Sequence, residues 1–224
     1  MTPQDLRAYI EQAVRDALEG RGIRATGRSV PVNISARHCH IRQDHLEVLF
    51  GPGAQLTKFK DLMQTGEFAA NETVTVVGTN RRVFEQVRIL GPARKITQVE
   101  LSYTDGRYLG MNLPPRNSGD IAGTHPVVII GPKGVLHLPE GCIRALRHVH
   151  IGEDDAASLG LKNGQMVSVK TAGPMSVTFN EVLIRVGKNA KREMHIDTDE
   201  ANACLLYTSP SPRDRTRSRM PSSA

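Results

Sequence analysis

The sequence contains one five-residue pattern twice, and both copies carry paired histidines. Residues 37–41 read Arg-His-Cys-His-Ile, and residues 147–151 read Arg-His-Val-His-Ile. Residues two apart in an extended strand project from the same face, so each copy would present two imidazoles side by side. Paired imidazoles form half of a typical transition-metal site. The duplication therefore predicts either two metal ions or one ion at a pseudo-twofold axis.

The likeness between the two copies continues beyond the pentapeptides. Asp44 is matched by Asp154 at the same offset as the histidines. Further along, the pattern Phe-x-x-Val-x-Ile occurs at residues 84–89 and again at residues 179–184. Each occurrence is followed by a glycine turn, a basic loop and another strand-like segment. This order indicates that the chain is built from an internal repeat.

Aligning the last strand of each repeat adds a third donor to each histidine pair. Glu100 and His195 are the ligand-type side chains at the matched positions of these strands, each flanked by two apolar residues. Three protein ligands with an open fourth position are typical of a catalytic zinc site. A lone residue of this kind is more often an ordinary surface residue, but the matched frame favours a metal role. The two predicted donor sets are His38, His40 and Glu100, and His148, His150 and His195.

The remaining histidines and the cysteines have less support as ligands. His45 matches Asp155, and His125 and His137 have no counterpart, so all three are interpreted as structural or surface residues. Cys39 would face away from the neighbouring imidazoles, which predicts a buried thiol. Three cysteines without the spacing of a disulfide framework indicate a reducing cytosol.

A second chemical signal lies in the turn Gly91-Pro92-Ala93-Arg94-Lys95. It places two cations shortly before the Glu100 strand. The rigid fork of an arginine suits a phosphate group, so beside a metal cluster Arg94 would hold an oxyanionic substrate. The alternative is a solvated hairpin tip.

Composition limits the classes of protein that remain. The chain has 224 residues and a formal charge of +6, half of which comes from residues 205–224, leaving +3 for the rest. This modest charge suits a small polyanionic ligand as well as a nucleic acid. No apolar run approaches membrane-spanning length, and no secretory leader opens the chain. We therefore expect no membrane partner.

The hydrophobic pattern predicts a mainly β fold. Residues 3–19 read as an amphipathic helix, followed by a glycine- and arginine-rich linker that ends near residue 28. Thereafter, short segments with β-branched residues and alternation favour β-barrels or sandwiches over a layered α/β fold. Turns are predicted at Gly91-Pro92 and Asp105-Gly106, and helical turns near residues 44–50 and 154–159. The predicted strands are residues 30–41, 73–77, 84–90, 98–103, 127–130, 135–138, 145–151, 166–171, 176–186 and 192–197.

Assembled in order, these motifs resemble the phosphotransacylases of bacterial microcompartments, the PduL-type phosphate propanoyltransferases. The resemblance covers about residues 29–204. It implies two β-barrel domains with short helical caps, the first strand crossing into the C-terminal barrel. Residues 29–37 and 146–204 would then form the C-terminal barrel, and residues 38–145 the N-terminal barrel. The motifs that carry the likeness are residues 32–40, 90–94, 97–100, 116–120 and 147–150.

The resemblance also implies a reaction, in which acyl-CoA and phosphate are interconverted with acyl phosphate and CoA. It implies a two-zinc centre between the barrels, held by the two donor sets already drawn from the repeat. Arg94 would be the phosphate-binding catalytic arginine. The metals would polarise the thioester and help to position phosphate for direct attack, without an acyl-enzyme. Neither the CoA-binding residues nor the choice of acetyl, propanoyl or a longer acyl group is legible in the sequence.

The same resemblance assigns roles to the two ends of the chain. Residues 1–20 look like an encapsulation peptide that would dock on a microcompartment shell or core, which predicts a location in the microcompartment lumen within the cytoplasm. A homo-oligomer is a further expectation from the family. Residues 205–224 shift abruptly in composition and match nothing in the family, so we interpret them as a non-native, disordered tail.

Two other functions fit parts of the sequence. A binuclear metallohydrolase would also use His-x-His on strands, although its commonest scaffold alternates strands with helices over a longer chain. A β-barrel nucleic-acid-binding module is suggested by the basic balance, but the chain lacks an aromatic stacking platform. We therefore expect no nucleic-acid partner.

Overall fold

The computed structural model describes residues 29–173 and 175–206. The predicted amphipathic helix of residues 1–20, the linker at 21–28 and the tail from residue 207 onward lie outside the described residues. No helix within the described ranges is both long and apolar enough to cross a membrane.

The described residues form strands with a few short helices, as the hydrophobic pattern predicts. The strands are β1 Val32–Ser35, β2 His38–His40, β3 Lys58–Asp61, β4 Phe68–Val77, β5 Val83–Gly91, β6 Gln98–Glu100, β7 Pro115–Arg116, β8 His125–Ile130, β9 Val135–Ala145, β10 His148–Gly152, β11 Met166–Lys170, β12 Thr178–Gly187 and β13 Glu193–Asp197. The helices are α1 Gln43–Phe50, α2 Tyr103–Tyr108, α3 Glu153–Leu159 and α4 Thr198–Ala203.

Six strands close into a β-barrel through continuous pairing. The ring runs β2, β5, β4, β8, β9, β6 and back to β2. Outside the ring, β3 pairs with β4 and β7 pairs with β9. The predictions of a mainly β fold and of a barrel are therefore confirmed.

The other five strands form a second sheet in the order β1, β13, β10, β12, β11. Strands β1 and β11 are the edges of this order, so the second barrel and the proposed domain boundaries stay predictions. The predicted single strand over residues 30–41 is wrong, because a tight turn centred on Ser35 ends β1 and a two-residue break separates it from β2. There the Ala36 N–H donates to the Ile34 carbonyl at 3.1 Å, and the chain passes from one sheet to the other.

Two helices, α2 and α4, were not predicted from the sequence. The predicted strand over residues 98–103 ends at Glu100, and the predicted turn Asp105-Gly106 lies inside α2. The Ser102 hydroxyl accepts from the Asp105 N–H and caps this helix, while Asp197 and Glu200 form a reciprocal capping box at the start of α4. Each cap is a local polar signal at or just beyond the end of a strand, so it is easily read as a turn.

The first half of the molecule contains strands β2–β9, and the second half contains β1 and β10–β13. Each half has its own apolar core, and the cores decide which way the strands face. Cys39 and Val99 lie in the first core, and Val149 and Met194 lie in the second. Because side chains alternate along a strand, the histidines on either side of Cys39 and Val149 face away from these cores. The donor side chains therefore share the opposite face of each sheet.

A repeated ion pair ties each His-x-His strand to the helix after the matching donor strand. Arg37 donates to both carboxylate oxygens of Asp105 at 3.0 and 2.9 Å, and its guanidinium lies 4.0 Å from the centre of the Phe84 ring. In the second half Arg147 donates to Glu200 at 2.7 Å and lies over the Phe179 ring. The duplication therefore includes the arginine–carboxylate pairs and the aromatic contacts that hold these strands in place.

Replacing Arg37 should destabilise the fold measurably. The Asp105 side chain is only 10% exposed, so Arg37→Ala removes a bidentate partner from a largely buried carboxylate. We expect the free energy of unfolding to fall by about 1–3 kcal/mol in chemical denaturation. The control is Arg42→Ala, whose pair with Asp44 has side chains 46% and 59% exposed and should contribute no more than about 1 kcal/mol. Equal losses in the two variants would contradict this interpretation.

Candidate metal and anion site

The first donor cluster forms where β2 pairs with β6. The antiparallel register places His38 directly opposite Glu100. The His38 and His40 Nε2 atoms lie 3.2 Å apart, and each lies 3.4 Å from an oxygen of the Glu100 carboxylate. All three side chains are buried. The structure therefore brings together the first predicted donor set.

The second donor cluster forms in the same way, where β10 pairs with β13. Here His148 lies opposite His195. The His148 and His150 Nε2 atoms are 3.1 Å apart, and the His195 ring centre lies 5.1 and 5.0 Å from the centres of these two rings. One donor atom from each residue falls within 4.8 Å of the others, as is also true of the first cluster. The second predicted set is therefore also assembled.

The spacing and orientation of these donors suit a tetrahedral metal ion. Nitrogens bound to one zinc at about 2.0–2.1 Å each lie roughly 3.3 Å apart, close to the observed separations of 3.2 and 3.1 Å. The Nδ1 atoms of His38 and His148 each lie beside a backbone carbonyl, at 2.8 and 2.7 Å. This contact places the proton on Nδ1 and leaves the Nε2 lone pair free for a ligand.

Charge in the first cluster is concentrated on Glu100. Burial alone would raise the pKa of Glu100, but the two neighbouring imidazoles hold it well below its usual range. Burial lowers the pKa of His38, yet the charge and hydrogen bond of Glu100 and the Ala36 carbonyl outweigh it, so the net pKa is raised. The pKa of His40 is lowered, chiefly by burial. An ionised carboxylate beside two imidazoles is a donor set suited to a divalent cation.

The second cluster contains imidazoles that stay neutral. Burial lowers the pKa of His148 to about 4 and that of His150 to about 3. The charge of Glu100 in the other half raises the pKa of His148 slightly, so the two clusters lie within electrostatic reach of each other. Neutral imidazoles are the form that binds a metal.

Gln98 and Ser118 both contact Glu100, and no role was predicted for either from the sequence. The Gln98 amide donates to Glu100 and to the Ser118 hydroxyl, and Ser118 itself donates to Glu100 at 3.0 Å. The Gly119 N–H donates back to the Gln98 carbonyl oxygen at 2.7 Å. The Arg-Asn-Ser-Gly-Asp motif therefore orients the carboxylate. The signal available in the sequence was that this motif, residues 116–120, is one of the segments that carry the family resemblance.

Glu193 and Gln64 occupy the corresponding place beside His195. Glu193 is almost fully buried, and its Oε2 lies 2.8 Å from the His195 Nε2. Gln64, from the turn between β3 and β4, donates to the same oxygen at 2.9 Å and to the Lys191 carbonyl at 3.0 Å. Because this turn belongs to the first half, the contact ties both halves to one site. No sequence pattern pointed to it.

Arg94 lies beside the first cluster. Its guanidinium donates to Glu67 at 2.7 Å and to the Ser118 hydroxyl at 3.4 Å, which in turn contacts Glu100. Its backbone N–H donates to the Ile41 carbonyl at 2.7 Å, which fixes the loop against the end of the His-x-His strand. Gly91 allows this turn, since a side chain there would collide with the Phe68 ring.

The other histidines lie outside both clusters. His45 contacts the Thr97 hydroxyl at 2.9 Å, His125 contacts the Asn112 backbone, and His137 is exposed. Cys39 is a free, buried thiol, as predicted from strand alternation. Burial raises its pKa to about 12.

Comparison with known proteins gives a consistent family. The profile of the phosphate propanoyltransferase family matches residues 31–207. A phosphate propanoyltransferase of Lachnoclostridium phytofermentans is 53% identical over 197 residues, 88% of this chain and 92% of the relative. Phosphate propanoyltransferases of Planctopirus limnophila and Thermotoga maritima are 46% and 48% identical, covering 89% and 79% of this chain and 87% and 84% of their own lengths. This chain therefore belongs to the phosphate propanoyltransferase family.

Proposed function

We propose that this protein interconverts propanoyl-CoA and phosphate with propanoyl phosphate and CoA, and that it does so at the two donor clusters. Membership of the family makes the chain a phosphate acyltransferase. The observation that carries the proposed site is the link from Arg94 through Ser118 to Glu100. It connects a phosphate-binding side chain to a buried set of metal donors.

The reaction needs a nucleophile that the substrate itself supplies. A phosphate oxygen attacks the thioester carbonyl carbon, the new C–O bond forms, and the C–S bond breaks. The proton of hydrogen phosphate ends on the CoA sulfur, so atoms and charges balance. No acyl-enzyme is required, and Cys39 points into the first core. This supports direct transfer between the two substrates.

Arg94 would hold phosphate for this attack. Its guanidinium can donate two parallel hydrogen bonds to a phosphate and offset the charge that builds up in the transition state. Glu67 holds the guanidinium at 2.7 Å, and the Ser118 hydroxyl, 3.4 Å from it, links it to Glu100. These contacts position the side chain in advance.

The donor clusters would each hold one divalent cation, most simply zinc. The residues are His38, His40 and Glu100 in one cluster and His148, His150 and His195 in the other. When bound, such ions supply Lewis-acid polarisation of a carbonyl and stabilise a developing thiolate, a ligand that zinc accepts well. Gln98 and Glu193 would orient donors of the two clusters through hydrogen bonds.

Assembly and packaging extend this proposal beyond the described residues. Residues 1–20 would direct the enzyme into a microcompartment, and the chain would act as a homo-oligomer. Both stay predictions that depend on the amphipathic pattern and the family. The acetyl group is a second candidate for the transferred acyl group, since it differs from propanoyl by a single methylene.

Arg94→Gln should abolish most turnover without loss of metal. We expect CoA release from propanoyl-CoA to depend on phosphate in the unmodified protein. In the variant, kcat/KM should fall roughly 10²–10³-fold because transition-state charge is no longer offset. Elemental analysis should show unchanged metal content. Near-normal activity would refute the role of Arg94, and phosphate-independent hydrolysis would favour a metallohydrolase.

Each donor cluster should account for one metal ion. His40→Ala and His150→Ala should each lower the bound metal from two ions per chain to one, measured by elemental analysis after gel filtration. The matched control is His137→Ala, whose exposed side chain lies outside both clusters and should leave two ions. Chelation should remove activity, and added zinc should restore it. A purified protein without stoichiometric metal would exclude this site.

The Cys39 thiol should be chemically inert and unnecessary for turnover. Burial raises its pKa to about 12, so little thiolate forms at neutral pH. We expect Cys39→Ala to retain turnover while lowering the free energy of unfolding by about 1–3 kcal/mol, because it leaves a void in the first core. Mass spectrometry should find no acyl group on this residue. A trapped acyl-Cys39 adduct would overturn direct transfer.

A further inference from the structure

Arg185 projects from the same sheet face as the second donor cluster. In the parallel pairing of β10 with β12, Arg185 is the partner of His150. Val182 and Ile184 on the same strand lie in the second core. Strand alternation therefore turns Arg185 away from that core, toward the face that carries the histidines.

Nothing in the described part of the chain satisfies this guanidinium. Arg185 is half-buried, and among the described residues it makes no hydrogen bond, ion pair or stacking contact. Other half-buried arginines in the described ranges differ in this respect, since Arg147 binds Glu200 and Arg94 binds Glu67. A cation partly removed from water without a partner is costly, so such a side chain is suited to receive an anion.

Arg185 interacts electrostatically with residues of both halves. Its pKa is lowered, chiefly by burial and also by the charge of Arg94, while Glu100 and Glu67 act in the opposite direction. These three neighbours all belong to the first half. Arg185 in turn lowers the pKa values of His148 and His150 in the second half. It therefore lies within electrostatic reach of both donor clusters and of Arg94.

The repeat itself marks Arg185 as an exception. Aligning the two Phe-x-x-Val-x-Ile segments sets Arg185 against Leu90. The first half thus has no cation at this strand position and provides Arg94 from the following turn instead. Glu67 pairs with Arg94, whereas Arg185 has no carboxylate partner among the described residues, so the second half presents an unpaired guanidinium on the face that carries its histidines.

We propose that Arg185 is a second phosphate-binding residue, which holds the attacking phosphate together with Arg94. The inference rests on the proposed function and adds a residue from the second half to its anion site. Two guanidiniums from different halves would fix the orientation of phosphate, because each can donate to a separate pair of oxygens. The phosphate groups of CoA have the same chemistry, and the test separates the two.

The test compares Arg185→Gln and Arg185→Lys with the unmodified protein. Initial rates of CoA release are measured with phosphate varied at saturating propanoyl-CoA, and then with propanoyl-CoA varied at saturating phosphate. For Arg185→Gln we expect the KM for phosphate to rise roughly tenfold to hundredfold, with the KM for propanoyl-CoA changing less than about threefold. For Arg185→Lys the KM for phosphate should lie between the values for the unmodified protein and Arg185→Gln, because lysine restores the charge but not the forked guanidinium.

Two controls keep the result interpretable. Arg107→Gln removes the same unit of charge from an exposed helix position and should leave both KM values unchanged. Metal content and the midpoint of thermal unfolding are measured for every variant, and Arg185→Lys serves if Arg185→Gln does not fold. Calorimetric titration of inorganic phosphate into the metal-loaded protein gives a binding constant that does not depend on turnover, and this constant should weaken in parallel with KM.

The outcomes are distinct. A rise confined to the KM for propanoyl-CoA would overturn the inference and move Arg185 to the CoA phosphates, as would unchanged kinetics with unchanged phosphate binding. If the unmodified protein releases no CoA in response to phosphate, the proposed function fails. In that case the calorimetric comparison alone decides whether Arg185 binds phosphate.

Discussion

The site depends on one constraint, the register between each His-x-His strand and the short antiparallel strand beside it. A shift of one residue would turn every donor to the opposite face and place Cys39 or Val149 among the ligands. The pairing of His38 with Glu100, and of His148 with His195, is therefore the geometric condition for both clusters. Two separate apolar cores enforce it, because each core accepts only the alternate set of side chains.

Duplication supplies this scaffold twice, and the differences between the copies supply the chemistry. Glu100 in the first copy gives that cluster a negative charge, while His195 in the second leaves three imidazoles. The shell beside the donors changes as well, from the neutral amide of Gln98 to the carboxylate of Glu193. Two cations bound there would experience different local charge, which suits a reaction with two unlike substrates.

The halves are joined through the site rather than only through the chain. Gln64 reaches from the barrel to Glu193 in the second sheet, and Glu67 from the same turn holds Arg94. Arg185 lies within reach of charges on both sides. The turn between β3 and β4 therefore positions groups in both clusters. A loss of register between the halves would disturb the contacts of Glu193 and of Arg94 together.

The amino-acid sequence by itself determined the mainly β class, the internal repeat and the six side chains that the fold gathers into two clusters, because strand periodicity and a repeated frame are local patterns. Tertiary structure decided what local patterns do not report: the break after Ser35, the helices capped by Ser102 and Asp197, and the closure of six strands into a barrel. It also decided the roles of residues that act across the fold. Gln64 lies 127 and 129 positions from the residues it contacts, and Arg185 is significant only because β12 pairs with β10. Contacts of this range arise from strand pairing and burial, which no single stretch of sequence encodes.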